Sequence, residues 1–216
     1  MIRLLIADDH TILRAGLRRI FDDVQDIDVA GEAGDGRAVL EFCRRDPVDV
    51  VLLDLGLPVI NGFDCLLQLR AQHPEIAVLI LSMHSEDHYA LRVIRAGASG
   101  YLTKGAPPET LIRAVRTVAS GGRHVSEELA TRMALMLQGQ LTGEPVDDLS
   151  PREFQIFERL ARGQSQSQIA EELKISPKTV HTHKAHIDRK LGFTSLTELI
   201  AYARKIGLVD QFSDPN

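Results

Sequence analysis

Three carboxylates, a hydroxyl and an ammonium stand at the ends of apolar runs in this chain. Together they have the chemistry to hold a divalent cation and accept a phosphoryl group. Asp8 and Asp9 follow Leu4-Leu5-Ile6-Ala7, and Asp54 follows Val50-Val51-Leu52-Leu53. Ser82 closes Val78-Leu79-Ile80-Leu81, and Lys104 follows Tyr101-Leu102-Thr103. Carboxylates gathered in one place do not all ionise cheaply without a counter-charge. A hard cation that takes oxygen ligands and keeps several waters, Mg2+, meets that need. An Asp54 oxygen could then attack phosphorus in line and form an acyl phosphate. Lys104 would neutralise phosphoryl oxygens, and the Ser82 hydroxyl would donate to one of them. Taken singly, each residue has a plainer reading. Asp8 or Asp9 could cap a helix starting near Thr11, and Lys104 could be a solvated loop lysine. Coincidence at four strand ends favours the shared site.

Convergence of these residues requires an open parallel sheet, whose ligands bind in the crevice outside the carboxyl ends of the strands. The pattern supplies one. Apolar runs at 2–7, 27–32, 48–53, 77–82 and 100–103 alternate with amphipathic stretches at 11–21, 36–44, 62–72, 87–96 and 108–119. Repeated βα units imply right-handed crossovers and helices on both faces. Five strands fit the flavodoxin-like order 2-1-3-4-5. The fold class is therefore α/β, a flavodoxin-like (βα)5 domain, followed by a small all-α domain.

The second domain follows from a change of pattern after Gly121-Gly122. A helix is predicted over 126–138, then a Gly/Pro-containing stretch from Gly139 to Asp148, and from Ser150 on only capped helices. Ser150-Pro151-Arg152-Glu153 is a capping box with proline at the first helical position. Ser165 to Gln168 and Ser195 to Glu198 repeat the pattern, and Ser176-Pro177 opens another helix. The expected domains are 1–121, a linker with one helix over 122–147, and a helical module over 148–212. Residues 150–216 hold 10 Lys/Arg against 8 Asp/Glu, whereas residues 1–149 hold 15 against 22. A mildly basic module beside an acidic domain suits polyanion binding beside metal binding. No apolar run approaches the ~20 residues that cross a bilayer, and a cytoplasmic protein without membrane contact is expected. Cys43 and Cys65 fall within helices and read as buried, reduced thiols.

The first 121 residues resemble the receiver domain of two-component response regulators. The text that carries the resemblance is Ile6-Ala7-Asp8-Asp9-His10, Leu53-Asp54-Leu55-Gly56-Leu57-Pro58-Val59-Ile60-Asn61-Gly62, Leu81-Ser82 and Tyr101-Leu102-Thr103-Lys104. The resemblance implies Asp54 as phosphoacceptor, with Mg2+ held by Asp9, Asp54 and the Gly56 carbonyl and Asp8 acting through a bound water. It makes Ser82 and Tyr101 a switch pair beside Lys104. Leu57 stands where methionine is frequent, a volume-conserving change. Gly105 stands where proline often follows the lysine, so no cis bond is expected there.

The second domain resembles the LuxR-type helix-turn-helix of the NarL/FixJ class. Leu149-Ser150-Pro151-Arg152-Glu153, Leu160-Ala161-Arg162-Gly163, Ile175-Ser176-Pro177-Lys178-Thr179-Val180, His183 and Lys190-Leu191-Gly192 carry it. In 177–191, Val180, His183, Ile187 and Leu191 share one stripe, which should pack on the neighbouring helices. The opposite stripe makes His181, Thr182 and Ala185 candidate base contacts, and Lys178 and Arg189 candidate phosphate contacts. Thr179 and Lys184 complete the candidate DNA-binding set, the latter through its long stem. His181, His183 and His186 invite a zinc reading, but 181 and 183 lie on different faces and do not converge. Leu196, Leu199, Ile200 and Ala203 share a face of the last helix, expected to mediate dimerisation on two-fold DNA sites.

The whole then reads as a DNA-binding regulator that takes a phosphoryl group from a sensor histidine kinase or phosphotransfer protein, and not as an enzyme. Phosphohydrolases with an aspartyl nucleophile usually carry a second carboxylate two residues later, where this chain has Gly56. A third reading keeps the regulator but makes the receiver only a protein-interaction module. The expected partners are that kinase, double-stranded DNA, and a second copy of the chain in a homodimer formed on phosphorylation or on DNA.

Overall fold

Val50 to Leu53 and Ala77 to Leu81 are apolar at every position, the mark of strands covered on both faces. In the computed structural model they are β3 (Val50–Leu53) and β4 (Ala77–Ser82), at the centre of a parallel sheet. The structure describes residues 1–83, 86–138, 145–173, 175–206 and 208–209. With β1 (Ile2–Ala7), β2 (Ile27–Ala33) and β5 (Gly100–Thr103), the sheet order is β2-β1-β3-β4-β5, the flavodoxin-like order expected. The helices between and after the strands are α1 (Thr11–Asp22), α2 (Gly36–Arg45), α3 (Gly62–Gln72), α4 (Glu86–Arg95) and α5 (Pro108–Ala119).

Strand periodicity sorts the core. Leu4, Ile6, Val50, Leu52, Leu79 and Leu81 join Leu17 and Phe21 of α1 and Leu111, Val115 and Val118 of α5 in one buried cluster. The alternate residues Leu5, Val51, Leu53, Val78 and Ile80 are equally buried and belong to the other face of the sheet. β3 begins at Val50, two residues later than the apolar run. Asp49 replaces the ladder there: its Oδ2 accepts from Arg3 N at 2.7 Å while its own N–H donates to Arg3 O at 2.9 Å. Cys43 and Cys65 are buried as expected, and burial pushes their thiols up to about 11 and about 12.

The β3–α3 connection shows how the sequence shapes the loop beside Asp54. Asn61 caps α3, its Oδ1 accepting from Phe63 N at 3.1 Å and Asp64 N at 3.0 Å. Gly62 then passes so close to the strand that a Cβ would lie 2.0 Å from the Asp54 carbonyl oxygen. Between them Val59 is held at φ 67°, left-handed for a β-branched residue. Its side chain is exposed, so nothing in the packing requires valine there. Val59→Gly is expected to stabilise the protein by about 1 kcal/mol, strain relief outweighing the added unfolded-state freedom. A higher urea midpoint at unchanged slope would show it.

Beyond α5 the chain returns to the sheet edge. His124 N donates to Ser99 O at 3.0 Å, and Tyr101 N donates to His124 O at 2.9 Å. Ser126 Oγ then accepts from Leu129 N at 3.1 Å, opening α6 (Glu127–Leu137), which packs on α4. The chain divides into two compact units, Met1–Leu141 and Thr142–Asn216. The helix expected in a linker therefore counts with the first unit. Residues 139–144 of that expected linker, and the expected boundary at 212, lie outside the described residues.

The second unit follows its caps. After a 3-10 turn (Pro145–Asp148) come α7 (Pro151–Ala161), α8 (Gln166–Glu172), α9 (Pro177–Leu191) and α10 (Leu196–Lys205). Ser150 with Glu153, and Ser165 with Gln168, form reciprocal capping boxes. Ser176 caps α9 and Gly192 ends it in the left-handed conformation. At α10 the expected box is altered: Ser195 caps Glu198 N, but Glu198 Oε2 accepts from Thr194 N at 2.7 Å. Phe154, Phe157, Leu160, Ile169, Val180, Ile187, Leu199 and Ala203 form the core. The apolar face of α10 is thus divided. Leu199 and Ala203 are buried, Ile200 is half-buried and Leu196 is exposed. Among the described residues, no helix is long and apolar enough to cross a membrane.

Candidate functional site

The strand ends deliver the predicted residues to one mouth. Backbone bonds extend the sheet just far enough to fix them: Asp8 N donates to Ala33 O, Asp54 N to Ala7 O and Lys104 N to Ser82 O, at 3.1, 2.9 and 2.8 Å. Lys104 Nζ lies between two acids, 2.7 Å from Asp8 Oδ2 and 3.0 Å from Asp54 Oδ2. Asp8 and Asp54 are buried, while Asp9 is at the surface. A Cβ at Gly56 would lie 3.2 Å from Asp54 Oδ2, so glycine keeps that side of the carboxylate open. Ser82 and Tyr101 are both buried.

Charge is tightly coupled in the mouth. Burial pushes the Asp54 carboxyl above the usual range; the Lys104 ammonium opposes the rise and Asp8 adds to it. Burial also works against the Lys104 charge, but the two carboxylates outweigh it and lift the amine above its ordinary value. Neither Asp8 nor Asp9 caps α1. Asp8 Oδ1 accepts from His10 N at 2.8 Å, and α1 begins without a side-chain cap. His10 Nδ1 stands 3.1 Å from Asp8 Oδ1 and 2.8 Å from Asp9 Oδ1. Ligand atoms of Asp8, Asp9, His10 and Asp54 all lie within 4.8 Å of one another. Three acids and one lysine leave two negative charges in this space. Asp8 Oδ2, despite its ion pair, has no aligned hydrogen-bond donor. The donor set therefore fits a hard divalent cation such as Mg2+.

In the second unit, α9 is packed against α7 and α8 and presents its other side outward. Val180 and Ile187 are buried, and His183 and Leu191 are half-buried, as the stripe requires. Lys178, Thr179, His181, Thr182, Ala185 and Arg189 are exposed. Thr179 belongs to the cap, with its Oγ1 2.8 Å from Ser176 Oγ. Thr182 Oγ1 donates to Lys178 O at 3.0 Å. Lys184, expected to reach a phosphate through its long stem, is half-buried, with its ammonium 2.6 Å from Asp188 Oδ2 in an i,i+4 ion pair.

Both halves match known families. The response regulator receiver domain matches residues 4–116, and the family of bacterial regulatory proteins of the luxR type matches residues 147–203. The chain is a LuxR-type response regulator. It is 38% identical to the response regulator UvrY of Escherichia coli K12 over 209 residues, 96% of each chain. It is 38% identical to the response regulator GacA of Pseudomonas aeruginosa over 214 residues, 99% of this chain and 100% of the relative. Among solved structures, RcsB from Salmonella enterica serovar Typhimurium bound to promoter rprA superposes with a TM-score of 0.65. At 23% identity, covering 93% of this chain and 97% of that one, RcsB supports the fold alone.

The protein is thus a DNA-binding response regulator of a two-component system, with the NarL/FixJ architecture. The receiver brings Asp8, Asp9, Asp54, Gly56 and Lys104 together at one mouth, as the strand ends predict. His10 joins them although sequence reasoning placed it only within the motif; the signal was its position directly after the Asp pair. The sequence marks Glu153 as a capping residue within the motif that opens the second domain. The structure sets it beside His183 and His186, with ligand atoms within 4.8 Å.

Proposed function

We propose that this response regulator is switched by phosphorylation of Asp54 and controls transcription by binding DNA as a dimer. The observation that carries the reading is Lys104 Nζ held between Asp8 and Asp54 at the strand ends. Asp54 Oδ would attack phosphorus of a phosphohistidine on a sensor kinase or phosphotransfer protein. The P–N bond breaks, the imidazole keeps its electron pair, and an aspartyl phosphate forms. Lys104, already within 3.0 Å of the attacking carboxylate, would shift its pairing to a phosphoryl oxygen. The Ser82 hydroxyl would donate to another, and Tyr101 would follow into the space Ser82 leaves, biasing one of two packings. Asp8, Asp9 and Asp54, with the Gly56 carbonyl, would hold Mg2+. When bound, that ion supplies the positive charge that lets anionic phosphate approach three carboxylates. The exposed stripe of α9 would enter the major groove, with His181, Thr182 and Ala185 toward bases and Lys178 and Arg189 toward phosphates. Leu196 and Ile200, which the core leaves partly uncovered, would contribute to a dimer on two-fold sites. The protein acts by switching state, with no turnover of an external substrate.

Size-exclusion chromatography with light scattering, in Mg2+ with and without beryllofluoride, tests this reading. Wild type is expected to double its mass with the mimic, and Asp54→Asn to stay monomeric. Equal behaviour of the two proteins would move control away from Asp54.

A further inference from the structure

We propose that Glu153, His183 and His186 form a second metal site, one for Zn2+ and other borderline transition ions, in the C-terminal unit. Neither family match nor the phosphorylation reading calls for it. α7 supplies Glu153, and α9 supplies two histidines three residues apart, hence on one face of the helix. Ligand atoms of all three lie within 4.8 Å of one another. The imidazole rings are 6.5 Å apart at 85°, edge to face, and His186 Nδ1 is 3.7 Å from Glu153 Oε1.

The two oxygens of Glu153 have separate duties. Oε2 accepts from Ser150 N and from Lys190 Nζ, each at 2.7 Å, so the capping box and an ion pair use it. Oε1 is the oxygen facing His186. The bonds from Ser150 and Lys190 therefore hold the carboxylate in place with its second oxygen turned to His186.

Two nitrogens and one oxygen suit Zn2+, with metal–ligand distances of about 2.0–2.2 Å and a fourth position left for water. The same set is poor for Mg2+, which prefers oxygen ligands. The two metal sites of the chain would therefore sort by ligand chemistry, Mg2+ in the receiver and a borderline ion here. Binding requires the ligand atoms to draw closer than they stand. His186 has that freedom, its side chain being 45% exposed. His181 takes no part because it lies on the exposed stripe. A bound ion would tie α7 to α9 behind the DNA-facing surface, fixing the helix without covering it.

The test is isothermal titration of full-length protein with Zn2+, in excess Mg2+ to fill the receiver pocket. Wild type, His186→Ala, His181→Ala and Glu153→Gln are compared, and far-UV circular dichroism confirms that each is folded. Zinc taken up by unrelated histidines is common to all four proteins. The site predicts one more equivalent in wild type and His181→Ala than in His186→Ala and Glu153→Gln, or that equivalent weakened about tenfold or more. Co2+ should give visible absorption bands of a four-coordinate site in wild type, absent from His186→Ala. Equal zinc stoichiometry and affinity in wild type and His186→Ala would overturn the proposal. So would no uptake by wild type, or an equal loss in His181→Ala.

Discussion

Asp54→Asn is expected to lose phosphoryl uptake from a small donor completely and, without Mg2+, to raise the stability of the receiver unit by about 1 kcal/mol. The loss is chemical: the amide oxygen of asparagine is too weak a nucleophile to form the acyl phosphate. The gain follows from the sign of the Asp54 shift. Burial and Asp8 together outweigh Lys104 and push its carboxyl above the ordinary 3.8. The folded state therefore binds more protons than the unfolded state through that window, and stability falls as pH rises across it. Above the window, the charged form of Asp54 is a net cost even after its ion pair is counted. Asparagine avoids that cost, and Lys104 keeps Asp8 at 2.7 Å. The advantage should appear at neutral pH and vanish as pH falls below 3.8, where the wild-type carboxyl is protonated in both states. Calorimetry would show a melting temperature higher by roughly 4 °C for Asp54→Asn at pH 7 in EDTA. Mg2+ should reverse the order, because a ligand that binds only the folded state stabilises the protein that binds it better. An Asp54→Asn protein that melts below wild type in EDTA would mean that Lys104 contributes more than burial costs.

The destabilised carboxylate marks what sequence could and could not reveal. Placement of Asp8, Asp9, Asp54, Ser82 and Lys104 was legible because it follows from one rule. Apolar runs become parallel strands, and whatever follows a strand arrives at the same edge. Caps were equally legible, because Ser150, Ser165 and Ser176 act on residues three positions away. Three features were not legible, for different reasons. Val59 at φ 67° lies in the loop that Gly62 brings close to the Asp54 backbone, and a β-branched side chain gives no signal for that conformation. The bridge from His124 to the edge of β5 runs through backbone N–H and C=O groups, which every such residue type carries, so it leaves no distinctive pattern in the sequence. Glu153 meets His183 and His186 across two helices, through a helix–helix register that periodicity leaves open. Periodicity correctly denied convergence of His181 with His183. It had no means of supplying the third ligand from α7.

Position 153 also gives a large stability effect in the C-terminal unit. Glu153→Ala should cost about 3 kcal/mol, because it removes one half of a capping box and leaves Lys190 without its carboxylate. In a unit of this size, that corresponds to a fall of roughly 15 °C in its thermal transition. The partner residue should matter too. Lys190 is 40% exposed and has water as an alternative partner, but Glu153 is buried and has none. Lys190→Met leaves that buried carboxylate without its cation and should cost about 2 kcal/mol, the bond from Ser150 N being retained. Glu153→Gln separates shape from charge. Its amide oxygen can still accept from Ser150 N and it buries no charge, so it should cost less than Glu153→Ala. The pH dependence has the opposite sign to that of Asp54. The folded-state carboxyl of Glu153 lies below the ordinary 4.5, so its contribution is present above that value and is lost as pH falls through the folded one. The difference between wild type and Glu153→Gln should thus be full at pH 7 and vanish in acid. A difference that persists below the folded value would assign the effect to packing, with the ion pair contributing nothing.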